Sequence, residues 1–161
     1  MSRYTKITAG VLALAITAGT LHAQSSANQT VTYEVQTINQ IAVTGSPSLT
    51  ITTATAGSQP TEVTATGSYA ITVNDTARKI TIGLNSDMPT DVTLTATLAA
   101  PTGATSAGAL TLSSTAQDAV TGITCVIGSA LNIAYALDAT VEAGVVASAN
   151  KTVTLTIVAG P

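Results

Sequence analysis

The chain is poor in aromatic residues and in charge. Of its 161 residues four are Tyr and none is Phe or Trp, and charged side chains make up 8%. It has one cysteine, Cys125, and one histidine, His22. Each shortage excludes something. A single cysteine cannot close an internal disulfide, so the bridges that staple many small secreted domains are ruled out and stability has to come from packing. A chain without Trp and with few Tyr lacks the stacking surfaces on which sugar binders normally rely. His22 precedes an expected signal cleavage, which leaves the mature chain without the commonest acid/base group and metal ligand.

The amino terminus has the three-part layout of a secretory signal. Residues 1–6 are short and basic, residues 7–21 are apolar, and Leu21-His22-Ala23 leads into the polar Gln24. The apolar run is shorter than the roughly 20 residues that span a bilayer. The reading is therefore a signal-peptide helix over 1–23, removed on export, followed by one domain over 24–161. After cleavage only Arg78, Lys79 and Lys151 remain against all eight carboxylates. Nucleic acid is a poor partner for such a chain, because neutralising phosphates needs clustered Lys and Arg.

What the chain does have is threonine, 32 residues of it, placed in alternation with aliphatics. Val92, Leu94, Ala96 and Leu98 are separated by Thr93, Thr95 and Thr97. The same period of two recurs at Val31, Tyr33 and Val35; at Tyr69, Ile71 and Val73; at Leu131, Ile133, Tyr135 and Leu137; and at Val153, Leu155 and Ile157. A period of two puts one set of side chains on one face of a strand, and β-branched, polar Thr suits the wet face. Strands are expected near 30–38, 40–44, 48–54, 69–74, 79–84, 92–98, 108–113, 123–127, 131–141 and 151–158. Gly45-Ser46-Pro47, Asn74-Asp75-Thr76, Asn85-Ser86-Asp87 and Pro101-Thr102-Gly103 mark turns between them. Residues 99–109 read as a loop between sheets, and no helix of the mature chain is convincing. The expected fold is all-β, an antiparallel two-sheet β-sandwich of about 8–10 strands, immunoglobulin-like or jelly-roll-like. Two facing sheets are needed because one open sheet buries too little to offset the entropy of ordering the backbone. Tyr33, Tyr69 and Tyr135 stand in frame with apolar neighbours and are expected in the core, hydroxyls at the rim.

Few residues point to chemistry. Nucleophilic catalysis needs Ser, Thr or Cys beside a base, and the mature chain offers three basic residues in no recognisable motif. No catalytic residue and no cofactor are expected, and the chain reads as non-enzymatic. Asn85, Asp87 and Asp91 form the densest oxygen cluster and a weak candidate for Ca²⁺, though acids at turns also serve their own backbone. Cys125, between Ile123 and Val126, is expected to be a buried inert thiol, with an intermolecular disulfide as the alternative. An array of outward Thr can match an ice lattice, but no fixed repeat emerges here.

The remaining route to function is through sheet edges, which carry unpaired N–H and C=O groups able to template another strand. The first expected strand (Val31, Tyr33, Val35) and the last (Val153, Leu155, Ile157) carry almost no charge beyond Glu34 and Lys151, and are the candidates for strand addition. By signal peptide, size and Thr-alternating strands the chain resembles small bacterial secreted sandwich proteins such as fimbrial or coat-type subunits. That resemblance implies a structural or adhesive subunit of an extracellular assembly, secreted, periplasmic or at the cell surface. Its partners would be further copies or other extracellular β-proteins. The intramolecular disulfide of many fimbrial subunits is impossible with Cys125 alone. The alternative is a monomeric extracytoplasmic module that binds a carbohydrate or a small apolar ligand.

Overall fold

A computed structural model describes residues 26–160. The signal segment expected over 1–23 lies outside the described residues. Contacts divide the chain into two units, Met1–Glu34 and Val35–Pro161, and every strand among the described residues lies in the second.

β4 (Val92–Leu98) shows how the sequence makes an element here. Its aliphatics Leu94, Ala96 and Leu98 are buried while Thr93, Thr95 and Thr97 are half-buried on the other face. Eight further strands are β1 (Asn39–Thr44), β2 (Val63–Val73), β3 (Arg78–Leu84), β5 (Thr105–Ser106), β6 (Ala109–Thr111), β7 (Gln117–Ile123), β8 (Val126–Ala139) and β9 (Val153–Ala159). They form two antiparallel sheets with strand orders β1-β2-β8-β4-β6 and β5-β7-β3-β9, the two-layer arrangement of a β-sandwich. From β2 onward each successive strand lies in the other sheet. The core gathers Tyr69 and Ile71 of β2, Ile80 and Ile82 of β3, Leu94 and Leu98 of β4, Val120 and Ile123 of β7, Ile133 and Tyr135 of β8, and Leu155 of β9. Both sheets contribute, as the alternation requires.

The sandwich has two distinct ends. At one, the β2–β3 turn at Asn74, the β7–β8 turn at Cys125 and the end of β9 come together: Cys125 N–H donates to the Asp75 carbonyl and Gly160 N–H to that of Ala77. Asn74 also ties down the start of β1, accepting from Ile38 N–H and donating to the Gln36 carbonyl. At the other end stand the start of β4, the end of β8 and the start of β9, as shown by the pairs Val92 with Ala139 and Leu84 with Val153.

Several expected elements take a different form. Residues 30–38 make no strand: the first ladder begins at Asn39, and Val31, Tyr33 and Val35 are 73%, 90% and 79% exposed. Tyr33 is therefore not a core residue. Tyr69 is, and its hydroxyl donates to the Ala99 carbonyl. Residues 48–54 contribute only the isolated bridge of Ala54 with Pro60. The chain leaves the sheet at Gly45, whose φ of 103° is open to glycine alone at low cost. A strand runs over Gln117–Ile123 where 123–127 was expected, because Thr124 and Cys125 form the turn. In β8, Ser129 and Ala130 together oppose Ala70, a bulge that puts Ala130 at φ 52°.

Candidate functional site

Three surfaces bear on the expected function: the unpaired segment before β1, the outer edge of β9, and an apolar groove at the end of the sandwich remote from Asn74. The segment over residues 30–38 keeps its period-two pattern with no ladder partner among the described residues. A strand-like run of Val, Tyr and Val in water exposes the apolar area that a sheet would cover.

β9 pairs with β3 on one side only, in register from Arg78 with Ala159 to Leu84 with Val153. It ends its sheet, so its other side carries backbone groups without a ladder partner among the described residues. The candidate side chains Val153, Leu155 and Ile157 are committed inward: Leu155 is buried, and Val153 and Ile157 pack partly buried against the core. What β9 offers a neighbour is main chain and the outward Thr154 and Thr156. The structure thus separates the two sets of candidates, one free in side chain, the other free only in backbone.

The groove was not foreseen. It has a volume of about 640 Å³ and lies among the segment 49–54, Met88, the start of β4, the end of β8 and the segment 141–151. Leu49, Met88, Val92 and Leu137 form its apolar lining, with Val141 and Val146 59% and 48% exposed at its margin. On the side of β2 away from β8 the ladder is only partial. β1 covers Ser68–Val73, and residues 63–67 have no ladder partner on that side among the described residues. Lys151 reaches from the lining to the Ser86 hydroxyl and the Asp87 carbonyl, at 2.8 and 2.6 Å. The signal that could have marked this place is the set of aliphatics Leu49, Ile51, Val141 and Val146 in segments that the turn residues break up.

The oxygen cluster serves the backbone. Asn85 Oδ1 accepts from Thr152 N–H, Asp87 Oδ1 accepts from Ser114 N–H, and the Asp91 carbonyl accepts from Thr140 N–H. The hydrogen bond from Ser114 is the main reason the Asp87 carboxyl titrates below its ordinary range. No group of three His, Cys, Asp or Glu side chains stands together among the described residues. Cys125 is exposed rather than buried, at φ 41° in its turn, with Sγ 3.6 Å from the Asn74 carbonyl. Alternation misplaced it because the strand has already ended at Ile123.

Charge is sparse and locally paired. Arg78 binds Asp75, with Nε to Oδ2 at 2.9 Å, and the guanidinium hydrogen bond holds the Asp75 carboxyl below its ordinary value. Lys79 reaches Asp118 at 2.9 Å. Lys151 alone among the described basic residues has no carboxylate within salt-bridge distance. Burial raises the Tyr69 hydroxyl to about 12 and Tyr135 in the same direction.

The geometry defines an all-β protein of two antiparallel sheets with an unpaired apolar segment and open edges. Neither protein-family models nor curated proteins give a match to this chain, so its function is read from these surfaces. Among the described residues no helix is long and apolar enough to cross a membrane.

Proposed function

We propose that the chain is a non-enzymatic structural or adhesive subunit of an extracellular assembly, exported by its amino-terminal signal and joined to its neighbours through strand-like segments and sheet edges. The observation that carries this reading is the segment with Val31, Tyr33 and Val35, strand-patterned, apolar and solvent-exposed. Evenly scattered single apolar residues are normal on a surface, but three exposed at alternate positions of one short run give the pattern of a strand that has no neighbour. The partners are other copies or other extracellular β-proteins.

Of the two sandwich types expected, we infer the jelly roll. The ladders nest: β2 pairs with β8, β3 with β7 and β4 with β6, as if one long antiparallel ribbon had been rolled up. Ribbons of this kind serve in coat and lectin proteins, an analogy of fold that does not itself assign a role.

The test is the mass and appearance of the exported protein. Light scattering after size exclusion and electron microscopy are expected to show species larger than one chain, growing with concentration. A strict monomer without fibres at high concentration defeats the reading. A second reading, a monomeric module for a small apolar ligand or a carbohydrate, draws on the groove lined by Leu49, Met88 and Leu137. It predicts a monomer whose melting temperature rises with an apolar probe.

A further inference from the structure

We propose that the apolar groove at the end of the sandwich remote from Asn74 binds a free aliphatic carboxylate, an alkyl chain lying along the lining with its anionic head on Lys151. This rests on the ligand reading of the groove given above and is independent of whether copies assemble. Three observations carry it.

The first is the lining. Leu49, Ile51, Met88, Val92, Leu137 and Val146 stand around a volume of about 640 Å³, within the roughly 300–1,000 Å³ of small-molecule sites. Leu49, Met88 and Leu137 also pack against the core, so the floor of the groove is continuous with the dry interior. The lining holds no aromatic side chain. Sugars and ring compounds draw on aromatic stacking, whereas an alkyl chain needs only aliphatic area, and the unbranched Met88 adapts its shape to one.

The second is that the walls are tied in place. The segment 53–61 is closed by the bridge of Ala54 with Pro60 and by Thr61 N–H donating to the Thr53 carbonyl. Gln59 Oε1 accepts from Val141 N–H at 2.8 Å, which joins this wall to the segment 141–151. The far end of that segment is fixed at Thr152, whose N–H donates to Asn85 Oδ1 and whose carbonyl accepts from Asn85 N–H. A site whose loops are ordered by folding loses less entropy when it is filled.

The third is charge. Lys151 is the only charged residue of the lining. An ammonium has three N–H donors. The Ser86 hydroxyl and the Asp87 carbonyl accept two of them, and the third has no acceptor among the described residues. The Asp87 carboxylate is turned to Ser114 N–H, and Lys151 is the least of the influences on it. The chain has a formal net charge of −3, so an anion meets an opposing field everywhere except beside such a cation. The same field repels an anionic membrane, which favours a free carboxylate over a lipid headgroup.

Titration calorimetry on the exported protein, below micelle-forming concentrations, compares decanoate, decanol and decyltrimethylammonium. Decanoate is expected to bind tightest, decanol about two- to fivefold more weakly, as one partly exposed ion pair gives, and the cation weakest. Lys151→Met keeps an aliphatic stem and brings decanoate down to the level of decanol. Because Lys151 also anchors Ser86 and Asp87, a second variant avoids that contact. Val146→Asp, at a half-exposed margin, weakens decanoate more than decanol, while Ile127→Asp, exposed at the opposite end, changes neither. Equal affinity for the three probes, or a decanoate affinity untouched by Lys151→Met, overturns Lys151 as the anchor and leaves the groove as an apolar site. Equal losses with Val146→Asp and Ile127→Asp overturn the location. Binding to phosphatidylglycerol vesicles in place of soluble decanoate overturns the free carboxylate in favour of a membrane surface. No binding of any probe removes both the proposal and the ligand reading, and light scattering on the same samples reads assembly separately.

Discussion

The segment at residues 30–38 and strand β4 carry the same sequence pattern and meet opposite fates. In β4 the aliphatics Leu94, Ala96 and Leu98 are 7%, 1% and 1% exposed. In the other, Val31, Tyr33 and Val35 are almost wholly in water. The residues do not account for the difference, since Tyr and Val favour strands at least as strongly as Leu and Ala. The neighbours do: β4 lies between β8 and β6, whereas the ladder of β1 with β2 stops at Asn39 opposite Val73. Alternation prepares a strand, and a strand forms only where another main chain stands ready to pair with it.

The contrast can be broken by mutation. Ile133→Ala, in the strand that flanks β4, is expected to lower unfolding free energy by about 2–5 kcal/mol in urea titrations. Tyr33→Ala in dilute protein is expected to change it by less than about 0.5 kcal/mol. Equal losses would show the 30–38 segment to be packed within the monomer, and the contrast would fall.

Tyr69 sharpens the comparison with Tyr33, one tyrosine buried and one in water. Its folded-state value lies near 12, above the ordinary 10.0. A raised value in the folded state means the associated stability is complete below pH 10 and is lost as pH rises toward 12. Alkaline unfolding monitored by circular dichroism is expected to accelerate across that window. Tyr69→Phe gives up the hydrogen bond to the Ala99 carbonyl at a cost of about 1 kcal/mol near neutrality and weakens this alkaline loss, to which the raised Tyr135 also contributes.

The smallest effect concerns the end of the sandwich from which the 30–38 segment departs. Asp75 titrates below its ordinary 3.8 because Arg78 and the Thr76 N–H bind its carboxylate. A lowered value means stability present above that ordinary value and lost as pH falls below it. Asp75→Asn is expected to flatten the acid limb of the melting temperature below about pH 4. An unchanged limb would place the acid sensitivity elsewhere.

How much could be read in advance varied with local consistency. Residues 92–98 were legible to the residue because seven positions alternate without interruption between turn signals. Gln117–Ile123 was not, since Asp118, Thr121 and Gly122 interrupt its apolar residues and the adjacent buried pair Ala119 and Val120 breaks the period. Residues 48–54 alternate well, yet Gly45 and the turn at residues 56–58 carry them away from β2. Cys125 has apolar neighbours in sequence but sits in a turn in space. The groove was hidden because its lining comes from five separate stretches of chain, each unremarkable alone.

Alternation of Thr with aliphatics was enough to determine an all-β chain with one dry and one wet face per strand, and a lone cysteine was enough to deny it an internal bridge. Which strands pair, where the ladders stop and which apolar run is left in water were decided only in three dimensions. The reason is that a side-chain pattern is a local property of the chain. A hydrogen-bonded neighbour is often supplied by residues far along the chain, as Ile71 meets Gly128 and Ile80 meets Ile157.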